Sequence, residues 1–145
     1  MKALLRTMAA AGFVLATASA FADTVKIGLV APFSGPFAVW GTQFKQAAEA
    51  FQKINGDPNG HKLEIIYRDN AGDPTKTRQL AEELILREKV SFLTGFSLTP
   101  EALAVSELIT EAKIPAVIMN SGTAIITRKS PYFVRTSFTV NMFTV

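Results

Sequence analysis

The side chains best placed for chemistry in this sequence are hydroxyls. Thr99, Ser121 and Thr123 lie in two short segments, Gly95 to Thr99 and Asn120 to Ala124, both rich in glycine, serine and threonine. With Gly122 between the last two, such segments suit backbone and hydroxyl hydrogen bonding to a small polar ligand. Thr99 is followed by Pro100 and Glu101, an order that predicts Thr99 as a helix N-cap. Unpaired N–H groups and the helix dipole at such a position favour an anion. A few hydrogen bonds to a charged group, each contributing about 1.5–3 kcal/mol, would orient a carboxylate without any arginine. A third segment, Phe33 to Thr42, carries Trp40, the only tryptophan. Trp40 is either a core residue or an aromatic wall for the ligand, and its Gly/Pro-rich surroundings favour the wall.

Catalytic chemistry finds little support. His61 is the single histidine and follows Asn59-Gly60 in a turn, with no visible orienting partner. Hydroxyls without a base are poor nucleophiles. The sequence has no GxxxxGK, GxGxxG, GxSxG or HExxH run, so no enzyme is expected. Cysteine is absent, which excludes disulfides, thiolate metal sites and a cysteine nucleophile. Asp69, Asn70 and Asp73 faintly resemble a calcium loop, but the glycine and the closing glutamate are misplaced. Asp73 before Pro74 reads better as a helix cap. No metal and no cofactor are expected.

These segments need a scaffold, and the rest of the chain supplies one. Val25–Val30, Leu63–Tyr67, Val90–Leu93, Ile114–Met119 and Tyr132–Thr136 are apolar runs with strand character. Between them lie helical spacings: Phe44, Ala47, Ala48, Phe51 and Ile54; then Leu80, Ala81, Leu84 and Ile85; then Ala102, Val105, Ile109 and Ala112. Strands alternating with helices predict an α/β fold, a Rossmann-like parallel sheet covered by helices on both faces. Loops beyond the carboxyl ends of such strands form the ligand crevice, and all three segments above are of that kind. With Lys2 and Arg6 set aside, the basic and acidic residues nearly balance, so no nucleic-acid partner is expected.

The run Ile27-Gly28-Leu29-Val30-Ala31-Pro32-Phe33-Ser34-Gly35-Pro36-Phe37-Ala38-Val39-Trp40-Gly41 resembles the opening of the branched-chain amino-acid-binding proteins, type I periplasmic binding proteins of ABC transporters. Tyr67-Arg68-Asp69-Asn70-Ala71-Gly72-Asp73-Pro74, Gly95, Ile114-Pro115 and Asn120-Ser121-Gly122-Thr123-Ala124 follow in the family's order. The resemblance covers residues 24–140. It implies an aromatic wall at Trp40, a hydroxyl at Thr99, and a backbone group and a hydroxyl from Ser121 and Thr123, together holding a ligand's carboxylate. Ser121 stands where the amino-acid binders commonly have alanine, and Phe96-Ser97-Leu98 also departs from them. The segments Asn120–Thr123 and Ser130–Arg135 look more like relatives that carry aromatic acids. The implied ligand is thus a small carboxylate-bearing solute, an amino acid or an aromatic acid. The implied partner is an inner-membrane ABC permease, met transiently by a monomer. The same fold used as a sensory or regulatory domain is the second reading.

Residues 1–22 have the order of a secretory signal peptide: Lys2 and Arg6, an apolar run from Met8 to Ala16, then Ala20-Phe21-Ala22. The apolar run is shorter than the ~20 residues that span a bilayer. Cleavage after Ala22 and a periplasmic location are expected. Residues 23–145 then form the N-terminal ligand-binding lobe, truncated near the first crossover to a second lobe that would close over the ligand. Binding by one lobe alone is expected to be weak.

Overall fold

The computed structural model describes residues 23–139; the leader expected over residues 1–22 lies outside them. Five strands form one parallel sheet: β1 (Thr24–Ala31), β2 (Lys62–Asp69), β3 (Phe92–Gly95), β4 (Ala116–Ile118) and β5 (Phe133–Arg135). Their order is β2-β1-β3-β4-β5. The chain leaves β1 toward one edge, builds β2, and returns to place β3 on the other side. Loops after β1 and β3 therefore diverge at this switch and open a crevice at the carboxyl ends.

Alternation along β1 sends side chains to two faces. Val30 joins the larger core with Leu84, Leu93, Phe96, Ile109 and Ile118. On that face pack α2 (Pro74–Glu83), α3 (Thr99–Ala104), α4 (Ser106–Ala112) and α5 (Ile126–Lys129). Leu29 and Ala31 point the other way, onto Phe44 of α1 (Ala38–Asn55). That second face is only partly covered. A groove of about 290 Å³ remains there, lined by Leu29, Phe44, Ala48, Phe51, Phe92 and Met119 among others. Of α1's expected apolar stripe only Phe44 is buried, while Phe51 is 50% and Ile54 80% exposed.

The α/β alternation and the five strands stand as the sequence predicts, although β4 covers only Ala116–Ile118 of its expected Ile114–Met119, and three further differences appear. First, α1 begins at Ala38, so Trp40 and Gly41 are helical rather than part of a loop. Gly41 permits this early start, because any Cβ there would overlap the Pro32 carbonyl at the end of β1. Second, β3 runs two residues later than its apolar signal, ending on Gly95. Third, the single helix expected after Thr99 is two short ones, broken at Val105, whose ψ of −2° leaves the helical ladder.

Candidate functional site

Asp73 caps α2 as expected: its Oδ1 accepts the N–H groups of Thr75 and Lys76 at 2.6 and 3.0 Å. The same residue order misleads at Thr99. The cap position of α3 belongs to Leu98, in extended conformation, and Thr99 is the first helical residue. Glu101, three residues beyond the cap, reaches back to the Leu98 N–H at 3.1 Å, so the capping bond comes from a carboxylate. This corrects the N-cap reading of Thr99 and frees its hydroxyl. Thr99 Oγ1 instead lies 2.8 Å from Thr123 Oγ1, across 24 residues of sequence.

The loop carrying Thr123 is held from several sides. Ser121 is 2% exposed, and its hydroxyl donates to the Phe96 carbonyl at 2.9 Å. Asn120 Nδ2 reaches the Ser97 carbonyl at 3.4 Å. These bonds fasten the loop after β4 to the loop after β3, which is why the two threonines meet. Ser137 Oγ donates to the Ser121 carbonyl at 3.1 Å, and Arg135 Nη1 to the Thr123 carbonyl at 2.9 Å. Among the described residues, the N–H groups of Ser121, Gly122 and Thr123 carry no hydrogen bond within the protein. The two hydroxyls thus adjoin N–H groups without a protein partner, those of Gly122 and Thr123 partly exposed and that of Ser121 buried, a set of donors suited to an anion's oxygens.

Trp40 stands in the first turn of α1, half-buried against the cluster of Leu29, Ala31 and Phe44. Its packing is that of a core-edge residue with part of its surface open. The loop before it is fixed by Asp69, to which the sequence alone assigned no structural role. Asp69 Oδ1 accepts the N–H groups of Phe33, Ser34 and Ala71 at 2.8, 3.3 and 2.9 Å, and Oδ2 the Ser34 hydroxyl at 2.6 Å. Asn70 is consumed too, donating to Thr77 Oγ1 at 2.8 Å and accepting from the Gly72 N–H at 3.0 Å.

Partial burial alone would raise the Asp69 pKa, but the Ser34 hydroxyl and the Ala71, Phe33 and Ser34 N–H groups outweigh it and hold the carboxyl below its ordinary 3.8. A depressed carboxyl stabilises the fold fully above the unfolded value and loses that contribution as pH falls through the folded one. Asp69→Asn keeps one acceptor but cannot receive the Ser34 hydroxyl. At pH 7 it should cost roughly 1–3 kcal/mol in urea denaturation, and the gap from wild type should narrow as the pH falls below the ordinary carboxyl value of 3.8. A gap independent of pH would show that the charge is immaterial to the clip.

Glu101 is wholly buried, and among the described residues neither its Oε1 nor the buried Ser97 hydroxyl has a hydrogen-bond partner. Burial pushes its pKa up, only partly offset by the Leu98 N–H, the Asn70 amide and the Ser97 N–H. Its bond to the Leu98 N–H ties the acid to the loop that presents Thr99.

Residues 24–144 match the family model described as periplasmic binding protein. This chain belongs to that family. A Leu/Ile/Val-binding protein homolog of Brucella abortus (strain 2308) is 45% identical over 133 residues, covering 90% of this chain and 34% of that protein. Among solved structures, a solute-binding protein of an ABC transporter from Rhodopseudomonas palustris BisB5, in complex with 3,4-dihydroxybenzoic acid, is 47% identical. It has a TM-score of 0.79, over 81% of this chain and 32% of that one. A second solute-binding protein from R. palustris, in complex with 4-hydroxybenzoate, is 45% identical with a TM-score of 0.77, over 81% of this chain and 32% of that one. The chain thus spans about a third of these periplasmic binding proteins' length. The family places its members outside the cytoplasm, and these relatives are binding components rather than enzymes.

Proposed function

We propose that this chain is the ligand-gripping lobe of the solute-binding component of an ABC importer, and that it holds a small carboxylate at the Thr99–Thr123 pair. The observation that carries the reading is the 2.8 Å approach of the two hydroxyls beside the open N–H groups of the Ser121–Gly122–Thr123 loop. Thr99 and Thr123 each donate to one carboxylate oxygen, and the backbone of Ser121 and Gly122 supplies the remaining donors. Trp40, with part of its ring open, forms a wall against the ligand's apolar part. An aromatic acid is the preferred ligand, because two relatives near 45% identity hold hydroxybenzoates and Ser121 replaces the alanine common in amino-acid binders. The ligand is bound and released unchanged. Residues 1–22 are the export signal, the periplasm is the place of work, and a monomer hands its ligand to an inner-membrane permease. Transport is favoured over sensing because the named relatives are transporter components.

The test is an NMR titration of the purified chain, which detects even millimolar affinity, with 4-hydroxybenzoate, leucine and 4-hydroxybenzamide. The expected result is shifts at Thr99 and at residues 121–123, strongest with 4-hydroxybenzoate and weakest with the amide, together with a change in Trp40 fluorescence. Shifts confined to other surfaces, or equal response to acid and amide, would remove the carboxylate site.

A further inference from the structure

The geometry points to Arg135 as the cation of this carboxylate site, an inference that rests on the reading just given. Arg135 ends β5 and pairs in register with Ile118, the last residue of β4, so it stands where the loop after β4 departs. Its Nη1 donates to the Thr123 carbonyl at 2.9 Å, which fixes the guanidinium beside the very residue whose hydroxyl meets Thr99. A guanidinium carries five N–H donors, and this is the only one of them with a hydrogen bond among the described residues.

Its charge is likewise unanswered among the described residues. The ion pairs among the described residues engage Lys26, Lys45 and Arg68, and none engages Arg135. Arg68, by contrast, is spent on Glu83 and Glu88 at 2.9 and 3.3 Å. A half-buried guanidinium is screened less by salt than an exposed one. If it served only to tie down the Thr123 carbonyl, a neutral donor would suffice. A cation with no counter-ion among the described residues, beside two hydroxyls and the unbonded N–H groups of the loop after β4, is what an incoming carboxylate completes. The bond to Thr123 sets the position of the guanidinium, and its other nitrogens meet the anion.

The experiment compares 4-hydroxybenzoate with 4-hydroxybenzamide on the intact chain carrying Arg135→Gln or Arg135→Lys. Glutamine keeps a neutral donor for the Thr123 carbonyl and removes the charge. Arg135→Gln should weaken the acid about 10-fold or more while leaving the amide within about 3-fold. Arg135→Lys should retain much of the preference for the acid. Raising salt from about 50 to 500 mM should weaken the acid in wild type but hardly in Arg135→Gln. Equal losses for acid and amide would reduce Arg135 to a positioning residue and overturn the inference. So would an unchanged acid affinity. Should the glutamine variant not fold, the lysine variant and the salt dependence of wild type decide the matter by the same criterion. A wild-type chain that binds no carboxylate brings down the proposed function as well, whereas one that binds it without selectivity at Arg135 brings down this inference alone.

Discussion

Gly95→Ala should be the most destabilising single methyl added to this protein, by roughly 3–5 kcal/mol in denaturant unfolding. Two separate effects add. The backbone at Gly95 has φ +111°, a region that L side chains rarely adopt. A Cβ there would also overlap the carbonyl oxygen of Val30 and crowd the Val30 backbone. That carbonyl cannot move aside. It accepts the Phe96 N–H at 3.0 Å and belongs to β1, which is paired on both sides by β2 and β3. Gly95 in turn offers its own carbonyl to the Met119 N–H at 2.9 Å. The methyl therefore strains the crossing of three strand ends. Gly56→Ala is the control, because its backbone, at φ +61° and ψ −139°, is also one that L side chains rarely adopt, but nothing lies within 4 Å of an added Cβ. It should cost about 1–3 kcal/mol, from conformation alone. Equal losses at the two positions would mean that conformational strain, not overlap with Val30, governs Gly95. The melting temperature of Gly95→Ala should fall by roughly 10–20 °C.

The position of Gly95 explains why the site sits where it does. Phe96, the next residue, also has positive φ, at 55°, and is wholly buried. Two left-handed residues in succession turn the chain sharply off β3, and the buried Phe96 ring anchors the turn. Its carbonyl then receives the Ser121 hydroxyl. Damage at Gly95 should accordingly reach the Thr99–Thr123 pair as well as the core.

Much of this architecture was legible in the sequence because its signals are local. Strands buried on both faces are continuous β-branched runs, and helices between them are long enough to show a period. Asp73-Pro74 revealed its cap because the carboxylate acts within three residues of itself. Failures came where a distant contact overrode a local pattern. Thr99-Pro100 mimics Asp73-Pro74, yet Glu101 takes over the capping bond and shifts the helix start by one residue. Trp40 looked like a loop residue until Gly41 let α1 begin beside Pro32. Asp69 had no local reason to bind Phe33 and Ser34, 36 and 35 residues earlier. Arg135 escaped notice for the same reason, since only the β4–β5 register brings it to Thr123. The resemblance to a known family supplied Thr99 and Thr123 as partners, and their direct contact is a matter of geometry that no spacing in the chain expresses.

The two threonine hydroxyls should act on a carboxylate in a recognisably non-additive way. In the free protein they bond to each other at 2.8 Å, so one donates and the other accepts. A carboxylate offers two acceptor oxygens and no donor, so both hydroxyls must turn toward it and give up their mutual bond. Thr123→Val keeps the volume and removes one hydroxyl. It loses one ligand bond, but the surviving Thr99 hydroxyl no longer has a partner to leave. The single loss should therefore lie near the lower end of about 1.5–3 kcal/mol, close to 10-fold in affinity for 4-hydroxybenzoate. Thr99→Val should do the same. Because Leu98 rather than Thr99 holds the cap position, Thr99→Val should cost little stability. The double variant loses both ligand bonds but recovers the mutual bond only once. It should exceed the sum of the single losses by about 1 kcal/mol, the net value of one hydrogen bond, or roughly 5-fold beyond the product of the single effects. NMR titration of the four proteins closes this cycle. Simple additivity would mean that the hydroxyls do not exchange their bond for the ligand. An unchanged affinity in Thr123→Val would mean that the carboxylate lies elsewhere.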